Sequence, residues 1–387
     1  MKKKVAILGS TGSIGKSLLS IIAKDKKNFQ ILLLTANKNY KLLLKQAELY
    51  NVRNIIINER KYFDKAKFIN KNKKINILNN FNNLKKIFSK KVDYTMSSIS
   101  GLGGLEPTVR IIKYTKKIAI ANKESIICGW DLIKKELNKN KTEFVPVDSE
   151  HFSIWYGLKR NNTPIDMIYL TASGGPFLNL PISKLKNVKV KDALKHPNWI
   201  MGKKITIDSA TMMNKVFEII EAKKIFNLNY KQLSILVQPD SYIHAIIKYK
   251  NGLIKLLAHS TDMKIPIMNT LYTKKIPLLN LKSKLEISKL NNLMLSKINL
   301  KKFPLVELIN KLPKKNSLFE TIIVSANDEF VNQFLQKKIK FLDINYKMNK
   351  ILNMREFSKY KNIFAKKTDD ILKLSNYVRF KIISKSI

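Results

Sequence analysis

The stretch between His196 and Glu218 combines more chemically useful side chains than any other part of the chain. Its polar members include His196, Asn198, Asp208, Ser209, Thr211, Asn214, Lys215 and Glu218. A core segment has no use for this mixture, because each buried polar group needs a partner. A surface segment has no use for the large apolar side chains among them, Trp199, Met201, Met212 and Met213. An anionic substrate under an aromatic lid, close to a metal, would use all of them, so the pattern indicates an enzyme.

A second group of chemically useful residues follows the apolar segment 144–147. Asp148 and Glu150 are carboxylates one residue apart at the end of a predicted strand, where open α/β sheets bind their ligands. Glu218, on a predicted helix, offers a third oxygen ligand. Ligation by carboxylates alone suits Mg²⁺ or Mn²⁺, whereas zinc prefers histidine or cysteine. A solvated surface pair is the alternative, and it is less favoured because apolar residues flank the pair on both sides.

Further residues extend the same predicted site. Lys123 directly follows the predicted strand 118–121 and should project into the same crevice, although a solvated lysine is the simpler alternative. The segment 173–203 opens with a turn of small residues able to pack against a phosphate and then lacks clear periodicity. It contains His196 and Trp199, which predicts a mobile lid. A lone histidine is more often structural, yet His-Pro-Asn-Trp in a long loop favours a role in binding.

Gly9, Gly12 and Gly15 lie between a predicted strand and a predicted helix. Backbone N–H groups at a helix N-terminus can hold a pyrophosphate where no Cβ intrudes, so this context predicts a dinucleotide site. A tight strand–helix turn without a ligand is the alternative. At the end of the second predicted strand, residues 36–39 lack the Asp or Glu that usually accepts hydrogen bonds from the ribose of NAD. Their lysine and two asparagines suit a 2′-phosphate, so NADPH is favoured over NADH.

Short apolar strands alternating with amphipathic helices must position these residues. Over residues 1–150 this alternation predicts an α/β fold, a doubly wound parallel sheet of the Rossmann type that binds NADPH. The strands predicted there are 5–8, 31–35, 54–57, 94–97, 118–121 and 144–147.

Residues 151–272 predict a central α+β domain that carries the catalytic, metal and substrate residues, including the lid at about 173–203. Its sheet should be partly antiparallel, with helices near 214–225 and 265–272. The strands predicted for it are 167–171, 234–237, 245–249 and 253–258. Residues 273–296 are rich in Lys, Asn and Ser and predict a linker, and residues 297–387 predict a small C-terminal helical bundle.

The 387-residue chain has a formal net charge of +45, which raises the question of nucleic-acid binding. Only six of its 73 basic residues are arginine, the residue that reads base edges and grips phosphates in bidentate fashion. Lysine is spread along the whole length together with Asn and Ile, a pattern typical of an A+T-rich genome. Nucleic-acid binding is therefore not favoured, although a basic surface should attract phosphorylated substrates in a salt-dependent way.

The single cysteine, Cys128, excludes an internal disulfide framework and fits a reducing cytoplasm. The apolar run near Met1 breaks at Gly9, which is too early for a secretory signal. No run of apolar residues reaches the length of about 18 that a membrane span needs. We therefore expect a cytoplasmic enzyme that does not cross a membrane and acts on a small molecule.

In this order, the motifs resemble those of the 1-deoxy-D-xylulose 5-phosphate reductoisomerase family. The matching stretches are 9–15, 121–125, 146–151, 173–177, 196–202, 208–218, 262–266 and 326–329, which span essentially the whole chain. The resemblance implies NADPH- and divalent-metal-dependent rearrangement and reduction of 1-deoxy-D-xylulose 5-phosphate to 2-C-methyl-D-erythritol 4-phosphate. This is a step of non-mevalonate isoprenoid precursor biosynthesis. It also implies a homodimer with the middle domain at the interface.

The resemblance assigns roles to individual residues. Cofactor-binding positions would be Thr11, Gly12, Ser13, Ile14, Ala36, Asn37, Lys38, Asn39, Asn122, Glu124 and Gly202. The ligands of Mg²⁺ or Mn²⁺ would be Asp148, Glu150 and Glu218. The substrate would contact Lys123, Ser149, Glu150, Ser173, His196, Trp199, Ser209, Asn214, Lys215 and Glu218. Those expected to act in catalysis are Lys123, Asp148, Glu150, His196 and Glu218.

The chain departs from the family pattern at a few positions without losing a proposed ligand. Asn37 and Ala172 stand where the family usually has glycine, Gln238 replaces a common histidine, and residues 259–261 replace a glycine-containing turn. The first departure bears on cofactor geometry and the last on lid or dimer packing. Two other functions are weighed beside this one. The first is a generic NADP-dependent dehydrogenase without a metal, and the second is a charge-driven nucleic-acid-binding protein.

Overall fold

The computed structural model describes residues 1–70, 74–159, 162–272, 287–291 and 293–384. The described chain divides into two compact units. The first unit contains Met1–Ser125, Asp131–Phe152 and the segment that begins at Asp262. The second unit contains Ile126–Trp130, Ser153–Thr261 and the described residues from 287 onward.

The first unit is built on a parallel sheet of seven described strands. They are β1 Lys3–Leu8, β2 Phe29–Ala36, β3 Asn54–Ile57, β4 Asn76–Leu78, β5 Tyr94–Ser97, β6 Lys117–Ile120 and β7 Glu143–Pro146. Their order is β4-β3-β2-β1-β5-β6-β7. The strand order therefore switches direction between the neighbouring strands β1 and β5, although all seven strands are parallel. Val5 to Leu8 are wholly buried, as expected of a central strand covered on both faces. The predicted doubly wound α/β fold is confirmed.

Helices cover this sheet. They are α1 Ser13–Ala23, α2 Tyr40–Leu49, α3 Arg60–Ile69, α4 Leu84–Ile87, α5 Leu105–Ile112, α6 Lys123–Lys139 and, later in the chain, α11 Lys264–Leu271. Helix α11 packs against α1. Helix α7 Ser149–Leu158 instead passes into the second unit, where its Ile154 belongs to the core. The Tyr94 hydroxyl lies 2.9 Å from Thr270 Oγ1, and the Tyr272 hydroxyl donates to Asp25 at 2.9 Å. The segment after Asp262 thus has its partners in the first unit.

The second unit contains a sheet of five described strands with mixed pairing. Its strands are β8 Ile165–Ala172, β9 Leu233–Val237, β10 Ile243–Tyr249, β11 Ile254–Ala258 and the short β12 Ser296–Lys297, in the order β11-β10-β8-β9-β12. Among the described strands of this sheet, only β8 and β9 pair in parallel, because α10 and its connections carry the chain from one to the other. The partly antiparallel sheet is therefore confirmed. One face packs on a core that includes Ile168, Leu170 and Ala245.

The remaining helices belong to the second unit. They are α8 Val190–Ala193, α9 Lys203–Ala210, α10 Met213–Phe226, α12 Ile287–Asn291, α13 Phe319–Leu335, α14 Phe341–Leu352, α15 Arg355–Ser358 and α16 Thr368–Ser384. The almost wholly buried α13 packs against α14 and α16, which confirms the predicted C-terminal helical bundle. Of the predicted linker 273–296, residues 273–286 and 292 lie outside the described residues, and the rest includes α12 and β12.

Four helices of the described chain end in the same hydrogen-bonded cap, built on a residue that has positive φ and is not glycine. These residues are Asn51, Lys141, Asn227 and Lys337, after α2, α6, α10 and α13. At each, the next N–H donates to a carbonyl five residues earlier, as from Val52 to Ala47. This is the hydrogen bond of a Schellman cap. Among the described helices, none is long and apolar enough to cross a membrane.

A buried ion pair joins α10 to α13 in the second unit. Lys224 Nζ lies 3.3 Å from Glu320 Oε1, and the two side chains are 2% and 0% exposed. The same Nζ donates to the Ile127 carbonyl at 2.6 Å, and Ser317 Oγ donates to Glu320 Oε2 at 2.7 Å. Both charges are thus compensated where water cannot reach them.

Replacing Glu320 with Gln should lower the free energy of unfolding by about 3–5 kcal/mol, because the Lys224 ammonium would remain buried without its counter-ion. Urea unfolding followed by circular dichroism measures the change. Asp166→Asn is the matched control, since it breaks the exposed pair between Asp166 and Lys248 in the same unit. Similar small shifts in both variants would contradict the prediction.

Candidate active site

The glycine turn after β1 has the geometry of a phosphate cradle. Gly9 has φ +83°, and a Cβ there would lie 2.8 Å from the Ser98 carbonyl oxygen. A Cβ on Gly15 would lie 2.5 Å from the Gly9 carbonyl oxygen, so the helix can approach the turn only without side chains. Helix α1 begins at Ser13, directly after Gly12. The predicted strand–turn–helix context is present, and a pyrophosphate fits it.

The end of β2 presents the residues predicted to face a 2′-phosphate. Ala36 is the last residue of the strand, and Asn39 caps α2 by accepting from the Leu42 N–H at 3.3 Å. Lys38 Nζ lies 3.5 Å from Glu59 Oε2, and the two side chains are 64% and 37% exposed. The sequence interpretation missed Glu59, because this carboxylate follows β3 rather than β2.

The carboxylates predicted to bind metal lie where β7 leads into α7. Asp148 is the last residue before α7, and the buried Glu150 lies in its first turn. Asp148 Oδ2 lies 3.5 Å from Lys123 Nζ and 3.1 Å from His151 Nδ1. Ser149 Oγ donates to Glu150 Oε2 at 2.7 Å. The structure thus brings Lys123 to Asp148, as predicted from their strand ends, and adds His151 as a neighbour that the sequence interpretation did not assign.

Lys123 owes its position to the capped start of α6. Asn122 caps the helix by accepting from the Ser125 N–H at 2.5 Å. Its amide also donates to the carbonyls of Ile99 and Gly101. The cap therefore fixes the loop after β5 and the first turn of α6 together, and Lys123 and Glu124 in that turn are buried.

A hydroxyl–imidazole cluster forms in the second unit around His196. Its Nε2 lies 3.1 Å from Ser173 Oγ and 3.1 Å from Ser209 Oγ. Its Nδ1 accepts from the N–H groups of Asn198 and Trp199, at 3.2 and 3.0 Å. Because Nδ1 receives two donors, the ring proton belongs on Nε2 and points to the serines. Burial and the nearby Lys215 lower the pKa of His196 to about 4, so the ring is neutral at physiological pH.

Two glycines let the serines of this cluster approach each other. Ser173 follows β8, and Gly174 and Gly175 have φ values of +83° and +65°. A Cβ on Gly175 would lie 2.8 Å from the Ser209 carbonyl oxygen. Ala172, where the family usually has glycine, is an ordinary residue of β8, and its carbonyl accepts from the Gln238 N–H at 2.8 Å. That departure therefore leaves the turn intact.

Helix α10 carries three further predicted residues of this unit. Asn214 Nδ2 donates to Glu218 Oε1, and Lys215 Nζ lies 2.5 Å from Glu218 Oε2. Glu218 is 1% exposed. The helix can start so close to the end of α9 because Met212 between them adopts φ +62°. The predicted residues Asn214, Lys215 and Glu218 thus lie together, with Lys215 near enough to His196 to influence its pKa.

The predicted lid, 173–203, contains only a 3₁₀ turn at Ile182–Asn187 and the short α8 before α9 begins. Its base is anchored by Asn198, which donates to the Pro239 carbonyl and, at 2.9 Å, to Ser241 Oγ. Trp199 packs edge-on to His244, with ring centroids 6.1 Å apart, and His244 stacks on His259 at 3.8 Å. The sequence interpretation missed this support. His259 belongs to the departure at 259–261. Gly202 caps α9, and a Cβ there would meet nothing within 4 Å.

His196 should remain neutral well below its usual titration range, with its proton on Nε2. Nitrogen-15 spectra of the four histidines, recorded as a function of pH, check both points. The unfolded chain takes up this proton near pH 6.5 and the folded chain only near pH 4. The free energy of unfolding should therefore fall as the pH drops from 6.5 towards 4. The His196→Asn variant should lose part of this slope, and a His196 pKa near 6.5 would contradict the assignment.

Family models match three parts of the chain. Residues 5–129 match 1-deoxy-D-xylulose 5-phosphate reductoisomerase, 144–226 match the C-terminal domain of that enzyme, and 259–381 match the DXP reductoisomerase C-terminal domain. Two curated relatives carry the same name. The protein of Pelagibacter ubique is 60% identical over 100% of both chains, and that of Clostridium kluyveri is 39% identical over 91% of this chain and 92% of its own.

Solved structures agree with the family models. A 1-deoxy-D-xylulose 5-phosphate reductoisomerase from Zymomonas mobilis in complex with NADPH has a TM-score of 0.86 at 31% identity, covering 98% of both chains. A DOX-P reductoisomerase in complex with NADPH, fosmidomycin and magnesium has a TM-score of 0.89 at 31% identity, covering 99% of this chain and 98% of its own. The chain therefore belongs to the 1-deoxy-D-xylulose 5-phosphate reductoisomerase family.

Proposed function

We propose that this chain converts 1-deoxy-D-xylulose 5-phosphate into 2-C-methyl-D-erythritol 4-phosphate with NADPH and a divalent metal, in isoprenoid precursor biosynthesis. The full-length relationship to proteins of that name supports the reaction. The observation that carries it is the cluster of Ser173, His196 and Ser209, close to the ammonium of Lys215. These are hydroxyl, imidazole and cationic donors, which suit the phosphate of such a substrate.

Most of the NADPH site is assigned to the first unit. The close approach of Gly15 to Gly9 leaves the N-terminus of α1 open to a pyrophosphate. We assign the cofactor contacts to Thr11, Gly12, Ser13, Ile14, Ala36, Asn37, Lys38 and Asn39, with Asn122, Glu124 and Gly202 as further contacts. The exposed Lys38 supplies the cation for the 2′-phosphate, and Glu59 offsets part of its charge.

The metal ligands are assigned to Asp148, Glu150 and Glu218. All three offer only oxygen donors, which fits Mg²⁺ or Mn²⁺. When bound, such an ion polarises the substrate ketone and its neighbouring oxygen as a Lewis acid, and NADPH supplies the hydride. The chain already compensates two of these carboxylates, since Lys123 lies beside Asp148 and Lys215 beside Glu218.

The protein's own side chains bind and orient the substrate. Ser149 and Lys123 are assigned to its carbonyl and hydroxyl oxygens. Ser173, Ser209, Asn214 and Lys215 are assigned to its phosphate. Because Nδ1 of His196 already accepts two backbone N–H groups, only Nε2–H is available to donate to that phosphate. Trp199 then covers the site and excludes water from the reactive intermediate.

Assembly, location and domain division complete the proposal. A homodimer through the middle domain is supported by β11, an edge strand whose Ile254 and Leu256 are 57% and 47% exposed. Sedimentation of the purified chain tests this assembly.

The lone buried Cys128 supports a cytoplasmic location. The divisions at residues 150, 272 and 296 stay predictions, and no nucleic-acid role is proposed.

Asp148→Asn and Glu218→Gln should each lower turnover at least about 100-fold, because loss of even an outer partner of a metal ligand costs about 10- to 100-fold. The assay follows NADPH oxidation with 1-deoxy-D-xylulose 5-phosphate and Mn²⁺, with and without EDTA. Asp166→Asn, an exposed carboxylate of the second unit, is the control and should retain activity. A folded wild-type chain that is inactive with both Mg²⁺ and Mn²⁺, or active in EDTA, would sink the assignment.

Lys38 and Glu59 should have opposite effects on NADPH affinity. Lys38→Met removes the cation and should raise the Kd of NADPH, whereas Glu59→Gln frees the cation and should lower it. Because the pair is exposed, each change should be within about fivefold, the equivalent of about 1 kcal/mol. Fluorescence titration with NADPH and NADH measures both, and the Kd of NADH should stay the same. Equal changes for the two cofactors would show that Lys38 does not bind the 2′-phosphate.

A further inference from the structure

Helix α9 presents a buried carboxylate directly before the phosphate-site residue Ser209. Asp208 is 1% exposed, and its two oxygens have different partners. Oδ1 accepts from Asn327 Nδ2 at 2.7 Å, and Oδ2 lies 2.9 Å from Lys204 Nζ, one turn earlier in the same helix. A carboxylate so deeply buried requires this compensation, because an unpaired charge in the interior is costly.

The contacts of Asp208 continue into two helices of the C-terminal bundle. Lys204 Nζ also lies 3.1 Å from Asp328 Oδ1, on α13. Arg379 Nη2, on α16, donates to Asp328 Oδ2 at 3.0 Å. The charges alternate in sign from Asp208 to Arg379, so Lys204 and Asp328 each lie between two ions of opposite charge. Asn327 and Asp328 belong to the motif 326–329, to which the proposed function gives no role.

This arrangement fixes the rotation of α9 about its own axis. Successive side chains on a helix point about 100° apart, so holding Asp208 sets the direction in which Ser209 points. Ser209 Oγ then lies 3.1 Å from His196 Nε2. On the other side, a Cβ on Gly175 would lie only 2.8 Å from the Ser209 carbonyl oxygen, so the Gly175 turn packs closely against α9. The helix is therefore held from both directions, and a small rotation would move Ser209 away from His196.

We propose that Lys204, Asp208, Asn327, Asp328 and Arg379 are positioning residues, through which the C-terminal bundle sets the affinity of the Ser209 site for the substrate phosphate. The inference rests on the proposed function, which places the phosphate at Ser209. Lys204 has a second role in this network, because it offsets the negative charge of Asp208 next to an anion-binding site. The network acts on phosphate capture, and all of the assigned cofactor contacts except Gly202 lie in the first unit, outside the network.

The test breaks the network far from Ser209. Asp328→Asn and Arg379→Gln should raise KM for 1-deoxy-D-xylulose 5-phosphate by roughly 3- to 30-fold, since misplacement of a binding group by about 1 Å can cost about 100-fold. The Kd of NADPH should stay unchanged. Lys204→Arg keeps the charge and should retain most of the affinity. Asp166→Asn, which breaks an exposed ion pair of the same unit, is the matched control. Melting temperatures show whether each variant is folded.

A double-mutant cycle with Ser209→Ala separates positioning from general loosening of the fold. If Asp328 acts through Ser209, the KM effect of Asp328→Asn should largely disappear in the Ser209→Ala background. An unchanged KM in Asp328→Asn, or an equal effect in both backgrounds, would overturn the proposal.

Calorimetric titration of the wild-type and Asp328→Asn proteins with inorganic phosphate measures phosphate binding directly. It therefore tests the network independently of the proposed reaction. A wild-type chain without turnover would refute the reaction alone. Weaker phosphate binding by Asp328→Asn than by wild type would still support the network. Equal binding by the two proteins, or none by wild type, would refute the network.

Discussion

Pairing of buried or nearly buried carboxylates with lysine is the interaction on which the rest of the structure depends. Asp148 pairs with Lys123, Glu218 with Lys215, Asp208 with Lys204 and Glu320 with Lys224. Each pair involves a residue of the proposed site or of a helix that carries one. The interior can hold negative charge near an anionic substrate only because these cations offset it. A few lysines of this basic chain therefore have specific positions, while most of the others lie on the surface.

Much of the fold could be predicted from the sequence because strand and helix periodicities are local. The strands 54–57 and 94–97 begin and end at the predicted residues. The bounds of the other strands predicted for the first sheet differ by one or two residues. The three-residue β4 and two-residue β12 were not predicted, because such short segments have no detectable period. The helix after Asp262 was placed in the central domain, yet its partners Tyr94 and Asp25 lie in the first unit. Sequence spacing carries no signal for such contacts.

The candidate site shows the same limit. Lys123 and Asp148 could be brought together from sequence, because parallel strands end at one edge of a sheet. The contacts of Glu59 with Lys38 and of Asn327 with Asp208 could not, since each joins residues far apart in the chain or on different elements. Local chemistry identified the groups that could bind phosphate and metal. Tertiary packing decided which other groups hold them in place.

The helix ends without glycine have a consequence for the stability of this protein. Glycine codons are rich in G and C, and this lysine- and asparagine-rich chain has only 12 glycines among 387 residues. Asn51, Lys141, Asn227 and Lys337 occupy left-handed caps that glycine would adopt without steric cost. A residue with a Cβ costs about 1–2 kcal/mol in that conformation, less for asparagine. Glycine at these four positions would therefore stabilise the fold. The gain should be largest at Lys141 and Lys337, because lysine is less tolerant of this conformation than asparagine.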